Sequence, residues 1–99
     1  MSNSTARKAV FTARFNRALK RYAGKDRKRQ KCIQETINRM MADLFDSRLR
    51  THPLSGDLAG YMASSCGYDC RIIFDWLPGS KTRTDTIHLL NVGTHDEVY

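Results

Sequence analysis

Residues 69–77 read DCRIIFDWL, and they decide the fold because their apolar side chains recur every second position. Ile72, Phe74 and Trp76 share one parity, while Asp69, Arg71, Ile73 and Asp75 share the other. A strand sends successive side chains to opposite faces, so the pattern predicts a strand with one face on a core and one toward solvent. Upstream the period is different. Ile33, Ile37, Met40, Met41, Leu44 and Phe45 follow the i, i+4, i+7, i+8, i+11, i+12 spacing of an amphipathic helix, and Asp26 is placed to cap it. Helices first and strands later predict an α+β fold, in which antiparallel hairpins carry helices on one face.

Working outward, residues 1–8 are polar and expected to be mobile. Phe11, Ala13 and Phe15 alternate, which predicts a short strand over 9–15. Asn16 is placed to cap a first helix from Arg17, with Ala18, Leu19 and Tyr22 as its apolar stripe and Gly24 as its end. Thr51-His52-Pro53-Leu54 stops the second helix, because the residue before a proline avoids the α region. Ser55-Gly56-Asp57 is turn chemistry. Further strands are expected over 58–65, with Gly60 as a weak point, and over 86–92, joined to the central strand by a turn from Pro78 to Asp85. With 99 residues the chain is expected to form one domain, 1–99.

No stretch approaches the roughly 20 apolar residues needed to span a bilayer, and MSNSTARKAVFTARF lacks the apolar segment of a signal peptide, so a cytoplasmic location is expected. The cysteines Cys32, Cys66 and Cys70 are an odd set, which argues against a disulfide framework. C-G-Y-D-C is also not the C-x-x-C of a zinc ribbon, so reduced, half-buried thiols are expected rather than a zinc site completed by His52, His88 or His95.

The net charge of +7 is unevenly spread: residues 1–50 hold 14 Lys/Arg and 4 Asp/Glu, a balance of +10, whereas residues 51–99 hold 3 and 6, a balance of −3. Within RALKRYAGKDRKRQK (17–31), eight bases stand against one acid, which favours a polyanionic partner over a merely solvated helix face. Lys20, Arg21, Lys25, Arg27, Lys28, Arg29 and Lys31 are the candidate RNA-binding residues.

The final segment, IHLLNVGTHDEVY (87–99), is the least tail-like part of the chain and is expected to be ordered. A turn at Gly93 would fold His95 and Tyr99 back toward the face that carries Asp69 and Arg71, with His52 at its rim. Such a set suits metal-free RNA cleavage. A base must take the ribose 2′-OH proton, an acid must protonate the departing 5′-oxygen, and a cation must hold the charge growing on phosphate. Histidine serves the first two near neutral pH, and arginine's fork serves the third. Tyrosine can stack on a base or donate to phosphate. Arg71 could equally be an ion-pair partner of Asp69 or Asp75.

The segments THPLSGDLAGY, SSCGYDCRIIF and IHLLNVGTHDEVY resemble the RelE/ParE toxin superfamily, most closely its YafQ-like branch. The resemblance spans nearly the whole chain and implies the family's layout of a strand, two helices and an antiparallel sheet. It implies a type II toxin–antitoxin toxin that cuts mRNA in the 30S decoding site as a ribosome-dependent endoribonuclease without cofactor. It further implies a cognate antitoxin as inhibitory partner and ribosomal RNA as partner of the basic half. Acid–base roles fall on His52, Asp69 and His95, a supporting aromatic on Tyr99 and transition-state stabilisation on Arg71; whether His52 or Asp69 is the base stays open. Ser65 stands where YafQ-like chains carry another histidine, Cys70 where they carry tryptophan, and Met62 and Ser64 lie near the place of RelE's lysine pair. A ParE-like toxin that poisons DNA gyrase and a non-catalytic RNA-binding protein are the alternatives. GTHDEVY argues against the former.

Overall fold

The period-two stretch becomes a central strand of a five-stranded sheet in the computed structural model, which describes residues 6–67, 69–77 and 84–99. The elements in chain order are β1 (Ala6–Phe11), α1 (Ala13–Tyr22), α2 (Arg27–Ala42), β2 (His52–Pro53), β3 (Met62–Ser65), β4 (Arg71–Leu77), β5 (Thr84–Gly93) and α3 (His95–Val98), with single 3₁₀ turns at Ser47–Leu49 and Gly56–Leu58. The strand order is β1-β5-β4-β3-β2. Neighbours are antiparallel except β1 and β5, which run parallel. The fold is α+β, as the change of period implies.

The boundaries move where side chains compete for backbone groups. The strand expected over 9–15 ends at Phe11, and the helix starts at Ala13 rather than Arg17. Thr12 supplies the cap in place of Asn16: its Oγ1 accepts the Phe15 amide at 3.1 Å and lies 2.6 Å from the Leu89 carbonyl on β5. Phe15 is fully buried as a helical residue, so its alternation with Phe11 and Ala13 is the coincidence of two elements meeting. Asp26 caps α2 as expected, accepting the Lys28 and Arg29 amides at 3.0 and 3.2 Å.

α2 ends at Ala42, well before Pro53. Asp43 and Asp46 each turn a carboxylate onto the amide two residues ahead, Phe45 and Arg48, and so draw the backbone out of the helix. Leu44 stays fully buried beyond the helix end, whereas Phe45 is exposed. The strand expected over 58–65 contracts to Met62–Ser65, because Gly56 and Gly60 adopt positive φ (64° and 97°) in the turns before it. His52–Pro53 pairs with Met62 and Ala63 as a short edge strand. Of the polar stretch 1–8, residues 1–5 lie outside the described residues and 6–8 belong to β1. The turn expected from Pro78 to Asp85 lies outside the described residues over 78–83, and Thr84 and Asp85 are already in β5.

One face of the sheet meets the helices. Ile72, Phe74, Ile87, Leu89 and Val92 pack there against Phe15, Ala18, Ile33, Ile37 and Met40. The opposite face is partly covered: Ile73 is buried with Ala63 and Val98, with Leu54 against them, so the expectation that its parity is open fails at Ile73 because α3 folds over it. A register shift between Ile73 and Phe74 marks an irregularity in the β4–β5 ladder.

Asp85 joins three elements. Its carboxylate accepts Trp76 Nε1–H at 3.2 Å from β4 and lies 3.6 Å from Arg7 Nε on β1. Arg7 also donates to the Met41 carbonyl in the last turn of α2. Asp85→Ala strands a guanidinium and an indole N–H in a largely buried place, and should destabilise the fold by about 3 kcal/mol in urea unfolding. An unchanged midpoint would show that the network carries no stability.

Candidate active site

β4, β5 and the turns beside β2 and β3 converge at one end of the sheet. Asp69 and Gly67 stand before β4, Arg71 opens it, and α3 starts two residues after β5 ends. Asp69, Arg71 and His95 line a cleft of about 700 Å³ together with Arg48, Arg50, Ser65 and Gly67. An adjoining cleft of about 430 Å³ is lined by His52, Pro53, Leu54, Ser55, Asp57, Leu58, His95 and Tyr99. The five residues singled out from the sequence are therefore divided between two clefts that share His95. His52 does not line the cleft of Asp69 and Arg71.

The carboxyl-terminal segment is folded back by a capping box. Thr94 Oγ1 accepts the Glu97 amide at 3.3 Å, and Glu97 Oε1 accepts the Thr94 amide at 2.8 Å. A Cβ at position 93 would stand 2.9 Å from Glu97 Oε1 and 3.3 Å from Glu97 Cβ, so a larger residue there would have to push the Glu97 side chain aside from its place in the capping box. Val98 is thereby pinned on Ile73, while His95 and Tyr99 meet edge to face with ring centroids 4.5 Å apart. Thr94→Ala should loosen this turn by about 1 kcal/mol, seen as roughly five-fold faster amide exchange over residues 95–99. The backbone amide of Thr94, and after it the Thr94 side chain, hold the Glu97 carboxyl below its ordinary 4.5. A depressed carboxylate stabilises above the unfolded value and loses that contribution as pH falls through the folded one, so the turn is expected to be intact at neutral pH and to fray only in acid, below the carboxyl's ordinary range.

Each functional side chain has a definable setting. His52 Nδ1 lies 2.8 Å from the Arg50 carbonyl oxygen. A carbonyl only accepts, so the proton of the neutral ring sits on Nδ1 and the lone pair is on Nε2. Arg50 adopts a left-handed backbone (φ 49°), which is uncommon for a residue with a side chain. Arg71 Nη1 donates to the Cys70 carbonyl at 3.0 Å. Burial raises the Tyr99 phenol above its ordinary 10, with the Arg71 charge opposing, so Tyr99 is a neutral donor at physiological pH. His95 Nδ1 lies 3.7 Å from the Asp96 carboxylate. Arg48 is held at the rim by Asp46 through contacts of 3.1 and 2.7 Å, and the same bonds hold the Asp46 carboxyl down to about 2.

Arg48 and Arg50 escaped the sequence reading. They stand in R-L-R-T-H-P, immediately before His52, a signal overshadowed by the denser basic run upstream. Lys20, Arg21, Lys25, Arg27, Lys28, Arg29 and Lys31 are all exposed, and Arg14 and Arg17 add to the same helical half. Arg29 is partly committed: it donates to the Tyr22 carbonyl, lies over the Tyr22 ring at 4.4 Å, and is 3.7 Å from Asp26. Lys28 and Arg29 line a smaller pocket that shares Gly67 and Asp69 with the cleft, so the basic half borders it. Among the described residues no three His, Cys, Asp or Glu side chains are placed to hold a metal ion, and no helix is long and apolar enough to cross a membrane.

Residues 7–99 match a family model described as "Bacterial toxin of type II toxin-antitoxin system, YafQ". Comparison with curated protein sequences finds no match. Among solved structures, YafQ from E. coli superposes with a TM-score of 0.72 at 16% identity, over 94% of this chain and 98% of that one. A YoeB/ParE toxin from Agrobacterium tumefaciens gives 0.71 at 18% identity, over 89% and 98%. A chain of the E. coli DinJ-YafQ toxin-antitoxin complex gives 0.70 at 17% identity, over 94% and 97%. At such identities these structures share the fold.

Proposed function

This chain belongs to the YafQ family of bacterial type II toxin–antitoxin toxins, and from that premise we propose that it is a ribosome-dependent endoribonuclease that cuts mRNA in the decoding site and so stops translation. The observation that carries the reading is the 700 Å³ cleft in which a carboxylate, an imidazole and the guanidiniums of Arg48, Arg50 and Arg71 converge. That is an anion site with proton-transfer groups at its wall.

In the reaction His52 Nε2 takes the proton of the ribose 2′-OH, since its Nδ1–H is engaged by the Arg50 carbonyl. The 2′-oxygen attacks phosphorus, the bond to the 5′-oxygen breaks, and His95 gives that oxygen its proton. The products are a 2′,3′-cyclic phosphate and a 5′-hydroxyl. Arg71 holds the charge that grows on the non-bridging oxygens, with Arg48 and Arg50 positioning the neighbouring phosphate. Tyr99, kept neutral, stacks on a base or donates to the phosphate. A second assignment makes Asp69 the base; it is favoured by Asp69 lining the same cleft as Arg71 and His95.

The exposed bases of α1 and α2 suit the phosphates of ribosomal RNA, whose pull weakens with salt. The DinJ-YafQ complex supports a cognate antitoxin as partner of this chain, and a cytoplasmic place of action goes with the ribosome as target. The test is a translation reaction on a defined mRNA, read by primer extension. Codon-phased cuts that require ribosomes are expected. Absence of cuts with protein synthesis unimpaired would overturn the nuclease reading and leave gyrase poisoning to be examined.

A further inference from the structure

Three thiols from two distant parts of the sequence meet beside the cleft, and the mechanism uses none of them. Cys32 lies on α2, Cys66 just past the end of β3, and Cys70 just before β4. Cys32 Sγ stands 3.5 Å from Cys66 Sγ, and the Thr36 hydroxyl lies 3.3 Å from Cys66 Sγ. All three cysteines are free; Cys66 and Cys70 are buried and Cys32 is half-buried. Gly67, next to Cys66, packs directly on Cys32, since a Cβ there would lie 3.4 Å from Cys32 Sγ.

These thiols line a pocket of about 290 Å³ whose wall also includes Gly67 and Asp69. Both of those residues line the larger cleft as well, so the thiol pocket and the cleft share a wall. The pocket is large enough to admit a molecule of a few heavy atoms, and Cys32 is the least buried of the three cysteines. The chain between Cys66 and the cleft is one residue long, and Gly67 has a positive φ of 78°. A displacement of Cys66 therefore acts first on Gly67, which is bonded to it and lines both cavities.

We propose that Cys32 and Cys66 form a reversible disulfide on exposure to a hydroperoxide, and that the new bond draws Gly67 and Asp69 toward α2 and away from Arg71 and His95. Burial holds the Cys32 thiol above its ordinary 9, so the reaction runs through the minor fraction of Cys32 that has released its proton to solvent, whose sulfur attacks one oxygen of hydrogen peroxide. The O–O bond breaks, the leaving hydroxide takes up a proton as water, and Cys32 becomes a sulfenic acid. The Cys66 sulfur then attacks the Cys32 sulfur, the S–S bond forms, and the S–O bond breaks. The departing hydroxide takes the Cys66 proton as a second water. Two thiols and one hydroperoxide thus give one disulfide, with the peroxide as the two-electron oxidant. Cytoplasmic disulfides of this kind are transient and are reopened by thiol reductants.

The bond does not depend on the ribonuclease reading; its effect on cutting does. The test treats the full-length protein with hydrogen peroxide and maps its peptides by mass spectrometry without reduction, with amide NMR alongside. A Cys32–Cys66 linked peptide is expected, reversed by dithiothreitol, retained in Cys70→Ser and lost in both Cys32→Ser and Cys66→Ala. The Gly67 and Asp69 amides should shift on oxidation and return on reduction in wild type, and stay still in Cys32→Ser, a half-buried site at which folding is little at risk. A Cys66–Cys70 link, an intermolecular disulfide, or oxidation of Cys32 past the sulfenic state with no link would overturn the proposal. So would a link that leaves the two amides unmoved. In the translation assay, oxidised protein should cut less than reduced protein and recover with reductant. Reduced wild type that does not cut would defeat the ribonuclease reading alone, with the peptide map and amide shifts still deciding the disulfide.

Discussion

Replacing His95 by alanine is expected to slow ribosome-dependent mRNA cleavage by roughly 10²–10⁴-fold while the protein stays folded. His95 alone lines both clefts among the five residues marked in the sequence, so its loss removes the group that can reach a leaving oxygen from either side. The side chain is 60% exposed and contributes little to the core, so the thermal midpoint should hardly move. What the ring does touch is Tyr99, edge to face. Tyr99→Phe keeps that contact and removes only the hydroxyl, which separates support of the imidazole from donation to RNA. A general acid must be protonated in the reactive state, so the alkaline limb of the wild-type pH–rate profile should vanish in His95→Ala. The acidic limb reports the base. Its loss in His52→Ala, with Asp69→Asn retaining it, is the expected result; the reverse would move the base to Asp69. A limb that survives every one of these substitutions would mean that neither histidine nor Asp69 carries the proton.

The second large effect is expected at Arg71. Removing a preorganised donor from a site where transition-state charge develops costs on the order of 10²–10³ in turnover, and Arg71→Ala should show a loss of that size in single-turnover cleavage. Lysine at this position restores the charge but not the planar fork, so Arg71→Lys should recover only part of it. The loss should fall on the chemical step rather than on ribosome binding, because many other exposed bases share the binding. The competing reading, a structural pair with Asp69, makes a different forecast. There Arg71→Ala and Asp69→Asn would destabilise the fold to a similar extent, and the double variant would be no worse than either single one. Unchanged thermal midpoints with strongly reduced turnover would exclude that reading.

Much of the fold was legible from local pattern. The parity of Ile72 and Phe74 marks the helix-facing side of β4, and both are fully buried there. The spacing from Ile33 to Met40 marks the buried side of α2, and Asp26 marks its start. Where the reading slipped, a short polar side chain had diverted a backbone amide. Thr12 moves the start of α1 upstream, and Asp43 ends α2 early. Apolar spacing carries no trace of those bonds. Leu44 keeps its place in the helical pattern although the chain around it is no longer helical.

The candidate site was legible as a set of residue types and not as an arrangement. His52, Asp69, Arg71, His95 and Tyr99 could be picked out by what imidazoles, carboxylates and guanidiniums do to phosphate. Their division into two clefts, and the entry of Arg48 and Arg50 into one of them, could not be foreseen. It depends on where a 3₁₀ turn ends and on a left-handed residue at position 50, neither of which leaves a periodic signature.

By itself, then, the amino-acid order determined which side of α2 and of β4 faces the shared core, because burial there follows from local hydrophobic period. It determined the separation of a basic half from a mildly acidic one as well, because charge is additive along a chain. Only the tertiary structure decided that β1 lies parallel to β5, that Arg7 reaches Asp85, and that Cys32 meets Cys66 across 34 residues. Those contacts join segments whose separation in sequence says nothing about their separation in space. They are selected by the packing of the whole core, in which each element's free choice is removed by the others.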